Sequence, residues 1–436
     1  MEGLVAAMDD AAKHQIASAR GKFIAMAGTY ALGAFNDNFF KTVVILLANR
    51  AGRQYVPGLA ANLMALPFVV FAAYCGWMAD RFPKRRIVIA SKIMELAAMC
   101  IAAVGIISQN YVLLLITVFF MGWQSAIFSP ALNGSIPELY PPAFVPTANA
   151  RLKAAITAAI LLGVAMAGFA LGSSSTDIAP LAGRYIAAAS VVAVAAVGIV
   201  ASLWTVSRGA ADAKARFPRL GPLQTVFDLA RLSRDRLLAN VLWADAFIWG
   251  MGNLQVLIIM QMGTNQLKLS DSYNGLLALS ELTGIAVGGL IAAKLFTGPR
   301  WYRVLPIMSA VIGVIALAVG AVPLLVAGAQ FPVLMVLLAL IGIAGGMFMI
   351  PCESFIQVRP AAQEKGCAIA ASNFLVFAAI MLTGLLHSLV CTWIAPSALF
   401  AALAAAALPA ALLLHLVLRK KGPARWQAQE SAEVVA

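Results

Sequence analysis

The segment Gly76-Trp77-Met78-Ala79-Asp80-Arg81-Phe82-Pro83-Lys84-Arg85-Arg86 sets the reading of this chain. It is a charge-dense turn between two long apolar runs, residues 57–79 and 87–107. Each run has the roughly 20 mostly apolar residues that a helix needs to cross hydrocarbon. A turn this rich in Lys and Arg belongs outside the lipid, on the side where membrane proteins collect basic residues.

Outward from this turn the same alternation continues. Twelve apolar runs are readable: 22–49, 57–79, 87–107, 111–136, 149–173, 181–206, 237–262, 273–297, 304–327, 332–356, 368–392 and 396–418. The long polar stretch 207–236 divides them six plus six. The expected organisation is an N-terminal six-helix half over 1–206, a central loop over 207–236, and a C-terminal six-helix half over 237–436. Composition agrees: 62% of the 436 residues are hydrophobic and 11% are charged, against about 45–50% and 25% in soluble chains. An ordinary soluble enzyme, a disordered chain and a disulfide scaffold are excluded. The fold class is an all-α membrane protein of twelve transmembrane helices.

The net charge of +13 is explained by its distribution. With residues 1–21 inside, the inner face receives Lys13, Arg20, Lys22, the Arg81–Arg86 cluster, Arg151 and Lys153. It also receives the bases of 207–236, then Lys294, Arg300, Arg303, Arg359, Lys365, Arg419, Lys420, Lys421 and Arg425. The outer face keeps Arg50, Arg53, Arg184 and Lys268. This bias places both termini in the cytoplasm and accounts for the charge without nucleic acid. Residues 1–21 carry Glu2, Asp9 and Asp10, so no secretory signal is read there. Cys75, Cys100, Cys352, Cys367 and Cys391 are scattered, with no ligand spacing, so neither a disulfide framework nor a metal site is read.

The two halves echo each other. Gly289-Leu290-Ile291-Ala292-Ala293-Lys294, with Arg300 and Arg303, answers the opening segment. Phe128-Ser129-Pro130, Pro137 and Ala148-Asn149 return as Met349-Ile350-Pro351, Pro360 and Ser372-Asn373. Parallel repeats of this kind put a substrate path near the midplane.

Gly-x-x-x-Asp-Arg-x-x-Lys-Arg-Arg between spans two and three resembles the signature loop of the major facilitator superfamily. A narrower resemblance follows. Gly33-Ala34-Phe35-Asn36-Asp37-Asn38-Phe39-Phe40-Lys41 is similar to span one of the lysophospholipid transporter family. So are Phe128 to Ala131, Pro137-Glu138-Leu139, Ala148-Asn149, Pro351 to Gln357, Lys365-Gly366 and Ala371-Ser372-Asn373. The resemblance implies a bacterial inner-membrane protein that moves lysophospholipids from the outer to the inner leaflet for reacylation, by alternating access or lateral entry. Some relatives carry fused acyltransferase and acyl-ligase domains. This chain stops at Ala436, so a separate acyltransferase is the expected partner, with the transporter itself a monomer. Leu132-Asn133 stands where the family usually has Lys-Tyr, and Glu353 where it tends to have Asn. A carrier of another amphipathic solute, such as a drug or siderophore, is the alternative.

Ionisable groups at membrane depth are costly and need a reason. Asp37 and Lys41 stand one helical turn apart and can pair, or Asp37 can face a cavity and bind a cationic headgroup or a proton. Asn36 and Asn38 favour the second reading, since one lysine cannot satisfy three consecutive polar side chains. The aromatic rings of Phe35, Phe39 and Phe40 could line an acyl-chain route or simply pack in the core. Glu95 has Lys92 three residues before it, so the same two readings apply: a structural pair, which is favoured, or a carboxylate for substrate binding or coupling. Asp245 and Glu281 have no basic neighbour at helical spacing, so they face water, pair across helices or are protonated. Gln124, Asn133 and Asn253 are weaker candidates, explained equally by interhelical hydrogen bonds. Glu353 reads as solvated. Asp80, Arg81, Lys84, Arg85 and Arg86 form a gating loop that can latch one transport state. Gly163, Gly168, Gly288, Gly289 and Gly384 are expected to permit close helix packing.

Enzyme readings find no support. His14, His387 and His415 open no HExxH or acyltransferase pattern, and no GxSxG elbow or GxxxxGK[ST] loop exists. No cofactor and no catalytic residue are expected. Transport would be facilitated or coupled to an ion gradient.

Overall fold

The computed structural model describes residues 10–53, 55–172, 181–205, 208–269, 271–295 and 300–419. The expected bases Lys420, Lys421 and Arg425, and the acidic Glu2 and Asp9, lie outside these residues.

The described residues form sixteen α-helices: α1 Asp10–Arg50, α2 Tyr55–Val70, α3 Ala72–Arg81, α4 Lys84–Ser108, α5 Tyr111–Asn133, α6 Ile136–Leu139, α7 Val145–Leu171, α8 Leu181–Ser202, α9 Pro222–Leu232, α10 Arg236–Gln261, α11 Asp271–Leu295, α12 Val304–Ala321, α13 Ala327–Val358, α14 Lys365–Val390, α15 Pro396–Ala402 and α16 Ala404–Leu418. Among them are eleven helical segments long and apolar enough to cross a membrane, or twelve with the bent pair α2 and α3 counted as one span. That pair turns by 56°. Pro67, one turn before the break at Phe71, removes a backbone donor and crowds the preceding turn.

Local chemistry sets several boundaries. The Asn110 side chain accepts hydrogen bonds from the amides of Val112 and Leu113 and so caps the start of α5. Gln109 takes a left-handed conformation, φ 53°, and ends α4. The polar central stretch is not wholly irregular, because α9 forms within it. Leu223, Val226 and Phe227 lie exposed on one side of α9, while Thr225 and Leu232 are buried on the other.

The residues group into two compact units. The first takes Met1–Pro141, Ala155–Asp235 and Pro360–Phe377. The second takes Pro142–Ala154, Arg236–Arg359 and Ala378–Ala436. The first unit takes the start of α14 and the second takes the start of α7.

The first unit packs around Phe39, Phe40, Val43, Val44 and Leu47 of α1, with Met99, Ala102 and Ile106 of α4 and Val191 and Ala195 of α8. The aromatic pair of span one is therefore core. The second unit packs around Ile258, Ile259, Leu338, Ile341 and Phe400. Its closest helix contact is α11 on α13. A methyl group at Gly288 would run into the Ile343 carbonyl, and one at Gly346 into that of Ile285. Small residues are what allow two backbones to approach this closely in a membrane. Gly163 plays the same part against Phe35, whereas Gly168 and Gly384 face open space and serve no such packing.

Candidate functional site

The opening segment folds into a clasp within the first unit. Gly76 and Asp80 lie one turn apart on α3 and share a face. A Cβ at Gly76 would stand 2.9 Å from Cα of Cys367, so the missing side chain lets the start of α14 come close. Asp80 then accepts hydrogen bonds from the amides of Gly366 at 2.7 Å and Cys367 at 2.9 Å. These are unpaired donors at a helix N-terminus, where a carboxylate is favoured. Asp80 is buried, so its charge is compensated by these amides. A Cβ at Gly366 would sit 2.6 Å from Oδ1 of Asp80, which requires glycine at that position too.

Neighbouring charges reinforce the clasp. Lys84 pairs with Glu138 at the end of α6. Arg231 of α9 lies 3.4 Å from both Asp228 and Glu364. The central loop is pinned to α3 as well: the Asp212 amide donates to the Asp80 carbonyl, and the Trp77 indole donates to the carbonyl of Ala215. Arg85 donates to the carbonyl of Leu203. Arg81 is half-buried and Arg86 exposed.

A second polar cluster lies deep in the same unit. Lys92 and Glu95 pair at 2.6 Å, both buried. Asn36 donates to Glu95 at 3.1 Å and to the Val191 carbonyl at 3.2 Å. A Cβ at Gly33 would stand 2.6 Å from Nζ of Lys92, so this glycine makes room for the ammonium group. The Lys92 ammonium also sits 5.0 Å from the centre of the Phe128 ring, within cation–π range.

Asp37 adjoins this cluster. Its Oδ2 accepts from Ser125 at 3.3 Å, and Ser125 in turn accepts from Gln124 at 2.9 Å. Its Oδ1 is buried without a hydrogen bond. The pair with Lys41 that helical spacing permits does not form; Ser125 of the facing helix α5 engages the carboxylate instead. Asn38 turns back to its own helix and donates to the Ala34 carbonyl. Asn36 and Glu95 thus join Lys92 in one bonded set, and Asp37 and Gln124 meet through Ser125 in a second set beside it. Asn38 makes no hydrogen bond within this group, and among the described residues Lys41 forms no ion pair there.

The remaining candidates lie elsewhere. Asn133 donates to Ser129, which also accepts from Asn373. Asp245 and Glu281 are buried in the second unit, and Oε2 of Glu281 has no hydrogen-bond partner. Asn253 bonds Thr383 and the Ile380 carbonyl across to α14. Glu353 is not left to solvent: Lys153 pairs with it at 3.3 Å and also lies 4.4 Å from the centre of the Trp249 ring. In the same unit Asn149 donates to Ser354 and Gln357. Sequence reading missed Ser125, Glu364, Arg231 and the Lys153–Glu353 pair. The adjacent polar residues Gln124-Ser125 in an otherwise apolar span were the available signal for the first. The five cysteines are free. Among the described residues no cluster of three His, Cys, Asp or Glu side chains is placed to hold a metal ion.

This geometry has two features. It holds a buried carboxylate on the amides of a helix start, and a second carboxylate with one buried oxygen free of hydrogen bonds.

Known proteins share this plan. The profile described as Major Facilitator Superfamily matches residues 26–318. The Lysophospholipid transporter LplT of Enterobacter sp. (strain 638) is 28% identical over 384 residues, covering 84% of this chain and 88% of the relative. The protein of the same name from Salmonella typhimurium is 28% identical over 377 residues, with 82% and 85% covered. Two crystal structures share the fold. The human organic anion transporter MFSD10 (TETRAN) superposes with a TM-score of 0.72 at 14% identity, over 92% of this chain and 99% of that one. The E. coli fucose:proton symporter FucP gives 0.67 at 13% identity, over 91% and 97%. The helical plan, the signature loop and these matches agree: the chain is a multi-pass membrane transporter, not an enzyme, and it belongs to the Major Facilitator Superfamily.

Proposed function

We propose that this chain carries lysophospholipids, such as lysophosphatidylethanolamine, from the outer to the inner leaflet of the cytoplasmic membrane. The supporting observation is the Asp37 carboxylate, which holds a buried oxygen without a hydrogen bond beside a charge-balanced Lys92–Glu95–Asn36 cluster. A headgroup crossing a bilayer needs polar partners where lipid supplies none. The ammonium of an ethanolamine headgroup suits an unpaired carboxylate. The similarity to transporters named for lysophospholipids points the same way.

In this reading Asn36, Glu95 and Gln124 position the site around Asp37. Asp80 and the basic residues after it latch one state of the cycle. Asp245 and Glu281 are the carboxylates of the second half assigned to coupling. In this reading the basic bias supports a cytoplasmic location for residues 1–21 and 207–236, with the Asp80 clasp on the inner side. The product is then delivered where an acyltransferase can restore the second chain.

The test is uptake of labelled lysophosphatidylethanolamine in cells lacking their native carrier, run beside polar solutes. Selective uptake of the lysolipid supports the proposal. Uptake of a different amphipathic solute in its place shifts the chain to the alternative substrate class. The position of Leu132-Asn133 motivates that arm, because Asn133 is occupied by Ser129 and offers no cation to a phosphate.

A further inference from the structure

A groove runs between α12 and α16 within the second unit, with a volume of about 790 Å³. On its buried side the two helices are fastened together. Ser309 donates to the Ala407 carbonyl at 2.8 Å. A Cβ at Gly313 would meet Leu408 at 2.9 Å. On the outer side the helices part, and the groove is walled by apolar residues such as Ile307, Val311 and Val314. Ile307 is 57% exposed and Val314 59%, so this wall faces away from the protein core.

One end of the groove is basic. Arg303 stands just before α12, and His415 and Arg419 lie one turn apart at the end of α16. All three are exposed. Among the described residues none of the three forms an ion pair, whereas Lys84, Lys92, Lys153 and Arg231 each have a carboxylate partner. Two guanidinium groups without an ion pair among the described residues thus cap an apolar channel that spans about two helical turns, on the order of 10 Å.

We propose that this groove binds an anionic glycerophospholipid of the surrounding bilayer. One acyl chain lies along Ile307, Val311 and Val314, and the phosphodiester sits between Arg303 and Arg419 with His415 beside it. Arginine matches phosphate oxygens with a fork of donors. Basic pockets between membrane helices on the cytoplasmic side are suited to anionic headgroups. A zwitterionic lipid is disfavoured because its own ammonium meets the same arginines. Free phosphate is disfavoured because it leaves the apolar wall unused. The site is separate from the cluster around Asp37, and it is read out by binding rather than by transport.

The experiment is native mass spectrometry of the purified full chain with dioleoyl phosphatidylglycerol, dioleoyl phosphatidylcholine and inorganic phosphate as probes. The wild type is expected to retain phosphatidylglycerol in preference to both others. Arg303→Gln with Arg419→Gln should weaken that retention about 30-fold, or about 2 kcal/mol for two cations near the membrane surface. Val314→Trp keeps every charge and fills the groove, and it should also displace the lipid. Val314 is exposed, so this variant tests the groove without disturbing the core. Undiminished preference in the double arginine variant overturns the proposal. So does full retention in Val314→Trp, which shows surface charge acting without the groove, or equal binding of inorganic phosphate.

Discussion

Asn149 and Asn373 occupy equivalent places in the two sequence repeats and make equivalent bonds. Asn149 donates to the Ser354 hydroxyl at 2.8 Å in the second unit, and Asn373 donates to the Ser129 hydroxyl at 3.0 Å in the first. Each lies in a segment that has crossed from its own half of the sequence into the other unit. Each fastens that segment beside a proline-containing turn of helix, at Pro351 and Pro130.

Removing either amide should therefore loosen its own exchanged segment. Asn149→Ala and Asn373→Ala should each cost about 1–2 kcal/mol, since a buried hydroxyl partner loses a donor. Hydrogen–deuterium exchange should rise in 142–154 for the first variant and in 360–377 for the second. Exchange that changes in neither segment, or equally in both, contradicts the reciprocal arrangement.

Cys367 offers a native reporter for the Asp80 clasp, because its amide is one of the two that Asp80 accepts. Asp80→Asn replaces charge-assisted bonds by neutral ones, a loss of about 1–2 kcal/mol. Maleimide labelling of Cys367 should accelerate about tenfold. Gly366→Ala should do the same by steric displacement of the carboxylate, while Gly168→Ala, which faces open space, should not. Labelling rates unchanged by Asp80→Asn would leave the loop with a purely topological role.

The Lys92–Glu95 pair is buried on both sides. Breaking such a pair from one side typically costs about 3–5 kcal/mol, while replacing both partners by neutral groups is close to neutral. Lys92→Met should therefore fail to accumulate as a monodisperse protein in detergent. Lys92→Met with Glu95→Gln should recover. Size-exclusion profiles of the two decide it, and equal profiles would mean that the pair carries no structural charge balance.

Lys153 and Glu353 are partly exposed, so their contribution is smaller. Glu353→Gln should cost about 0.5–1 kcal/mol. The charge swap Lys153→Glu with Glu353→Lys should restore most of that loss in a double-mutant cycle of thermal stability. A coupling energy near zero would show that the contact with Trp249, not the ion pair, holds Lys153.

The span plan was legible in the sequence because a run of apolar residues is a local property and hydrocarbon thickness sets its length. The bend at Phe71 was not, although its cause, Pro67, lies in the same run, because length and apolarity do not register a break inside a span. The helix Pro222–Leu232 was not, because it lies in a polar stretch. The candidate site divides in the same way. Helical spacing allows Asp37–Lys41 as readily as Lys92–Glu95, yet the second pair forms and the first does not. The difference is Ser125, supplied to Asp37 by α5 from far along the chain. Asp80 and Gly366 were each legible as part of a motif, but their contact required the start of α14 to be seen against α3. Lys153 and Glu353 were assigned to solvent or to topology for the same reason.

The most direct measurement compares inward movement of labelled lysophosphatidylethanolamine by the wild type, Asp37→Asn, Asp37→Glu, and Asp37→Asn combined with Lys41→Gln, each at matched membrane abundance. The wild type should transport, Asp37→Glu should transport in part, and both Asp37→Asn proteins should fail, because Lys41 forms no ion pair with this carboxylate. Full transport by Asp37→Asn, or its restoration by adding Lys41→Gln, would contradict the assignment of Asp37 to the headgroup.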